Sequence, residues 1–196
     1  MDMKNPQSWV IAVVLVAALL VVVALILRQE QERQSRKLRQ HFGPEYERLV
    51  AEHGDRGKAE AELRAREKRV QRLRIVPLAP ADAARFTQAW GAVQARFVDN
   101  PQSAVAEADK LVRDLMVKRG YPMGDFEARA ADISVDHPAL VETYRSAQVI
   151  AARDQSEGAS TEDLRKAVVY YRSLFDELLD VRSPNRATHG HAAVHS

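Results

Sequence analysis

The chain contains no cysteine. That absence removes thiol nucleophiles, disulfide staples, cysteine-based zinc sites and iron–sulfur clusters from the chemistry open to it. Glycine is sparse, at 8 of 196 residues, and never falls into Gly-x-Gly-x-x-Gly or the Gly-Lys-Ser/Thr end of a phosphate loop. No backbone cradle for a nucleotide phosphate is therefore encoded. His-Glu-x-x-His is missing as well, and so is any run alternating apolar and polar residues in the manner of a half-buried strand. Excess charge of one sign is also lacking, since the formal net charge is +2.

What is present first is an uncharged run from Trp9 to Leu27, made of 19 consecutive residues without Gly or Pro. At about 1.5 Å per residue such a helix matches the roughly 30 Å hydrocarbon core of a bilayer. The run is longer than a signal-peptide apolar region and passes straight into Arg28, with Leu25, Ile26 and Leu27 where small cleavage-site residues would stand. It reads as a retained signal-anchor, a single-pass transmembrane helix over 9–27. Trp9 suits one interface, and Arg28 can snorkel at the other.

Lys4 is the one basic side chain ahead of the run, whereas Arg28, Arg33, Arg36, Lys37 and Arg39 come after it. By the positive-inside rule, residues 1–8 form a short external terminus and the remainder lies in the cytoplasm. The alternative is an external C-terminal domain. The same five basic residues are candidate contacts for anionic lipid head groups.

Beyond the anchor the charge is divided. Residues 28–98 carry 16 basic against 10 acidic side chains, and residues 99–180 carry 10 against 16. A net of +6 beside the membrane and −6 away from it is hidden in the near-neutral total.

Helical periodicity runs throughout, and the expected fold is all-α. It comprises the transmembrane helix, a basic helical stalk and linker over 28–80, a compact bundle of about four helices over 81–180, and a disordered tail over 181–196. In the stalk, Arg28 to Gln40 has no apolar stripe, Pro44 opens a short helix that Gly54 closes, and Gly57 to Leu73 forms a basic helix with a narrow seam. Pro77 and Pro80 break the helix and mark the boundary with the bundle. Phe86, Trp90, Val93 and Phe97 then recur at spacings of four, three and four, which makes an aromatic helix face. Asn100 before Pro101 caps the next helix, which Gly120 ends. A short helix spans about Asp125 to Ile133, Asp136-His137-Pro138 starts a longer one, and Ser160 or Thr161 caps the last, lined by Leu164, Val168, Tyr171, Phe175 and Leu178.

Candidate sites are few. No catalytic residue and no cofactor site is assigned. His189, His191 and His195 in the tail could meet a divalent metal only at the cost of ordering the chain, so no metal is assigned there. Asp136 beside His137 suits a helix cap better than acid–base work, and His41 and His53 have no evident partners. Trp90 with Phe86 and Phe97 reads as core rather than as a ligand groove. Tyr170, next to an inward Tyr171, is the candidate contact for a protein partner. The basic strip from Arg64 to Arg74 is interrupted by Glu67 and has no aromatic residue for base stacking, which disfavours nucleic acid.

Arg96-Phe97-Val98-Asp99, Arg119-Gly120-Tyr121-Pro122, Asp125-Phe126-Glu127, Asp136-His137-Pro138 and Thr161-Glu162-Asp163-Leu164-Arg165 give the chain a resemblance. From about Phe42 to Leu179 it resembles an uncharacterised family of bacterial single-pass membrane proteins with a helical soluble domain. The resemblance implies the bacterial cytoplasmic (inner) membrane and brings no activity. The expected function is a membrane-anchored interaction or scaffold module that presents its bundle to a cytoplasmic protein partner. Two alternatives stand beside it. One is a small-ligand sensor or enzyme with a groove near Trp90 and Tyr144; the other is a self-associating stalk, a homo-oligomer joined along Gly57 to Leu73.

Overall fold

The computed structural model describes residues 6–179, and every regular element among them is helical. The eight α-helices are α1 (Pro6–Phe42), α2 (Pro44–His53), α3 (Arg56–Val70), α4 (Pro80–Asp99), α5 (Pro101–Arg119), α6 (Phe126–Asp136), α7 (Val141–Ser156) and α8 (Thr161–Leu179). A single 3-10 turn, Pro138–Leu140, precedes α7. The tail from 181 onward, with its expected disorder and its histidines, lies outside the described residues. The described chain falls into two units divided between His41 and Phe42.

The first unit is α1. Its segment from Val13 onward has a mean hydropathy of 2.4 with none of that apolar window buried, so it is long and apolar enough to cross a membrane. Leu19, Leu20 and Leu27 are each more than 60% exposed, and Trp9 is 72% exposed. The helix does not stop where the apolar run ends. Gln and Arg are good helix formers, and the segment from Arg28 onward continues the same helix.

In the second unit α5 packs against both α4 and α8, and α8 packs against α7 as well. Trp90 and Val93 from α4 meet Leu115 and Met116 from α5 and Leu174, Phe175 and Leu178 from α8 in one core. Trp90 is 1% exposed, and its ring centroid lies 4.7 Å from that of Phe175. Side-chain caps start these helices: Asn100 accepts from the Ser103 N–H at 3.0 Å, Asp125 from Ala128 at 2.8 Å and the Ser160 hydroxyl from Asp163 at 3.1 Å.

The expected boundary at Pro80 is displaced. After a turn at 71–73 the chain is irregular up to Pro80, yet the compact unit begins upstream of this break, at Phe42. Helices α2 and α3 form a hairpin that packs through α3 against α6 and through α2 against α7. Phe42, Leu49, Ala59 and Leu63 are at most 1% exposed. The narrow seam of α3 is therefore already covered inside the unit, which takes that face away from a self-associating stalk.

The Asp136-His137-Pro138 stretch also differs from expectation, because it ends one helix before it leads to the next. Pro138 disfavours helix at His137, whose φ and ψ are −132° and 55°. Asp136 accepts from the Tyr121 hydroxyl at 2.8 Å instead of capping α7.

The proline-rich connection between α3 and α4 is pinned rather than hinged. Val76 N–H donates to the Arg119 carbonyl at 2.9 Å, and Leu78 is 3% exposed. The Arg119 side chain, 2% exposed, donates to the Leu178 carbonyl at 2.7 Å near the end of α8. Gly120 makes this junction possible. At φ 97° it closes α5 as a Schellman cap, with Tyr121 N–H donating to Met116 and Gly120 N–H to Val117. A Cβ there would lie 2.4 Å from the Arg74 carbonyl oxygen. Gly120→Ala should therefore lower stability by roughly 2 kcal/mol or more, from the left-handed conformation and the displaced connection together. An unfolding free energy from urea titration within about 0.5 kcal/mol of the parent would show that the connection is not held as described.

Candidate interaction site

Helix α2 opens with Pro44, and the next residue, Glu45, is 4% exposed. A buried carboxylate is tolerable only when cations and hydrogen bonds replace its water. Three arginines do so. Arg48, one turn along α2, donates to both carboxylate oxygens at 2.9 and 2.8 Å. Arg66 of α3 donates at 2.7 Å, and Arg145 of α7 lies at 3.4 Å. Burial alone would raise the Glu45 carboxyl, but the hydrogen bonds from Arg48 and Arg66 and the charge of Arg145 hold it below the usual carboxylate range.

Other carboxylates balance these guanidinium groups. Glu62 pairs with Arg66, Glu52 accepts from Arg48 at 2.6 Å, and Glu127 of α6 takes both its contacts from Arg145, at 2.7 and 2.6 Å. On the opposite side of α3, Glu60 accepts from Tyr46, Arg56 and Arg64 at 2.9 to 3.0 Å. Arg69 reaches Asp132 at 2.7 Å. The basic strip of α3 is thus largely committed to intramolecular carboxylates.

This network separates two open grooves. A polar one of about 690 Å³ lies between α3 and α6 and is lined by Arg48, Glu62, Arg66 and Arg69. The other, of about 700 Å³, lies over α7 and is lined also by the start of α2 and by α8. Its lining includes Pro44, Pro138, Val141, Val149, Ile150 and Tyr170. Val149 is 67% exposed, a large aliphatic side chain left to solvent on an otherwise polar helix face. Arg48, Glu142, Arg145 and Lys166 stand among the same lining residues.

Tyr170, the expected partner contact, is half-buried and forms part of this groove. Arg28, Arg33, Arg36, Lys37 and Arg39 are all exposed on α1. At about 100° per residue they cover roughly half of the helix circumference. Around Trp90 and Tyr144 no groove exists, because both rings are at most 1% exposed and packed, Tyr144 at 5.0 Å from Phe126 and 6.2 Å from Tyr171. His53, expected to stand alone, meets Glu62 at 2.6 Å. Among the described residues no three His, Asp or Glu side chains gather as metal ligands.

His137 is 9% exposed, with Nδ1 at 3.2 Å from Glu177 and Nε2 buried without a partner. Burial pulls the imidazole below its ordinary value, against the opposing pull of Glu177 and Asp136. Its environment favours a neutral structural ring.

Glu45, Arg145 and Val149 do not stand out in the sequence as site residues. Glu45 and Arg145 lie 100 residues apart, and nothing local marks a buried ion pair of that span. Val141, Arg145 and Val149 do recur every four residues along one side of α7, and that repeat is the available signal. No family model, curated protein or solved structure matches the chain.

Two measurements test the site. Glu45→Leu takes from Arg66 one of its two carboxylate partners and should cost about 1 to 3 kcal/mol of unfolding free energy, while Glu45→Leu with Arg66→Met should cost less than the single change. Equal losses in both would deny the coupling. For His137, the unfolded imidazole binds a proton near pH 6.5 and the folded one only at lower pH, so this contribution is complete above about pH 6.5 and is lost as the pH falls. The stability lost between about pH 7 and pH 5 should shrink in His137→Gln. An unchanged slope would place the pH dependence elsewhere.

Proposed function

We propose that the chain is a membrane-anchored helical interaction module of the bacterial inner membrane, with α1 as a single-pass anchor and the second unit presented to a cytoplasmic protein partner. The observation that carries this reading is the uncovered apolar helix. Side chains such as Leu19 and Leu27 are 63% and 64% exposed over a stretch of mean hydropathy 2.4, and only a lipid phase or other apolar cover would satisfy them. The exposed cations from Arg28 to Arg39 favour the cytoplasmic side for the second unit, and they would sit at anionic head groups there. Anchoring raises the local concentration of the second unit at the membrane surface, so a modest partner affinity suffices.

Two observations favour this reading over the sensor and the stalk. A sensor pocket at Trp90 has no space, and a stalk self-associating along α3 has no free seam.

The cysteine-free chain makes the orientation directly testable. Val98 is 84% exposed, so Val98→Cys provides a single reactive thiol on the second unit. In spheroplasts, a membrane-impermeant maleimide should label it only after lysis. Labelling of intact spheroplasts would put the unit outside and remove the cytoplasmic partner. Proximity crosslinking in the native membrane should then enrich one cytoplasmic protein; self-crosslinks alone would replace the module with an oligomer.

A further inference from the structure

We propose that the outward face of α4 is where two copies of this chain meet, antiparallel, about a two-fold axis beside Ala92. The proposal goes beyond the interaction-module reading and rests on it in one respect, the shared membrane that brings the copies together.

Spacing defines the face. Trp90 and Val93 turn into the core, while on the other side of the same helix Ala81, Arg85, Gln88, Ala92, Ala95 and Asp99 recur at intervals of four and three. All six are exposed. A seven-residue repeat of this kind keeps one line along a helix, the geometry that a second helix needs. Between Arg85 and Asp99 the line carries no charge, and Ala92 and Ala95 let a neighbouring backbone come close. Gly91, beside Ala92, points the same way. It sits inside the helix, where glycine is less favourable than alanine, at an ordinary negative φ. A Cβ added there would meet no atom within 4 Å, so no packing among the described residues calls for a glycine. The close approach of a second backbone does.

Charge then identifies the occupant. Asp82 faces two cations, Lys118 at 2.9 Å and Arg85 at 3.1 Å, so near the start of the face one positive charge has no carboxylate of its own. Asp99, at the other end, is exposed and has no ion-pair partner among the described residues. The two ends lie about 21 Å apart along the helix, too far to satisfy each other. Arg85 and Asp99 are equidistant in sequence from Ala92. A second copy laid antiparallel with Ala92 against Ala92 therefore sets Arg85 of each copy against Asp99 of the other. The face is its own complement, which is the condition for an isologous contact. A parallel copy would instead set like charge against like at both ends. One helix against another covers less than the roughly 800 Å² per partner of a standard interface, so affinity in dilute solution is modest. Confining both anchors to one membrane supplies the effective concentration that such a contact needs.

The test uses the full chain, which has no cysteine of its own, in isolated native membranes under a thiol oxidant. Ala92→Cys should give a disulfide-linked dimer in about fivefold higher yield than Gln94→Cys, an exposed position on the same helix turned roughly 160° away. Should Ala92→Cys fold poorly, Ala95→Cys with a short bismaleimide repeats the readout. Adding Arg85→Glu should lower the yield about fivefold, and Arg85→Glu with Asp99→Arg should restore it, because the swapped charges again complement each other. Gly91→Gln should also lower the yield while leaving the urea midpoint unchanged or higher, whereas a glycine needed only by the fold would lower both. Equal yields from Ala92→Cys and Gln94→Cys overturn the proposal, as does failure of the charge swap to restore the dimer. A disulfide from the Ala92→Cys chain to a different protein also overturns it and assigns the face to that protein. The membrane content of the chain is read in the same fractions, so failure of the anchor reading shows as soluble chain and is distinct from a face that stays free.

Discussion

Burying the carboxylate of Glu45 constrains the second unit more than any other single contact, because a charge taken out of water must bring its counter-charges with it. Those charges come from α2 itself, from α3 and from α7, so satisfying one residue holds three helices together. The hairpin of α2 and α3 has little apolar surface of its own. It joins the bundle where α3 meets α6 and α2 meets α7 and through this ionic knot, whose members are themselves paired outward to Glu52, Glu62 and Glu127. Such a knot adds specificity of register more readily than net stability, since the desolvation of the ions offsets much of their attraction.

A second tie acts at the opposite end of α3. Between α3 and α4 the chain is irregular and proline-bearing, a composition that suggests freedom, yet the Arg119 carbonyl, the Arg119 guanidinium and the left-handed Gly120 gather the connection, the end of α5 and the end of α8 into one junction. Proline here removes helical alternatives without supplying motion.

The helices themselves are legible in the sequence, because period and punctuation are local. Apolar spacing of three and four marks the inner faces of α4, α5 and α8, and Asn100, Gly120 and Ser160 stand at their ends for reasons of cap chemistry alone. Membership of the compact unit is not legible in the same way. Glu45, Glu60 and Arg66 look like residues of a solvated face, and only partners brought from 14 to 100 residues away make them interior. The stalk expectation fails on that point. At His137 the local signal is ambiguous, since a residue before proline can precede a helix or end one, and the bond from Tyr121 to Asp136 settles which. Tyr170 stands out in the sequence through its adjacency to an inward tyrosine, and it does border an open groove, but the rest of that groove depends on how α2 meets α7.

The packing of Trp90 has an optical consequence. The sequence holds 2 tryptophans, one in each unit: Trp9 on the apolar helix, and Trp90 sealed against Phe175 with the Arg172 guanidinium 5.3 Å from its ring. Their emission should respond to different events. Quenchers dissolved in lipid would report on the first indole, while loss of bundle packing would expose the second to water and shift its emission to the red. The protein thus carries a native spectroscopic channel for its membrane segment and another for its fold, without any added dye.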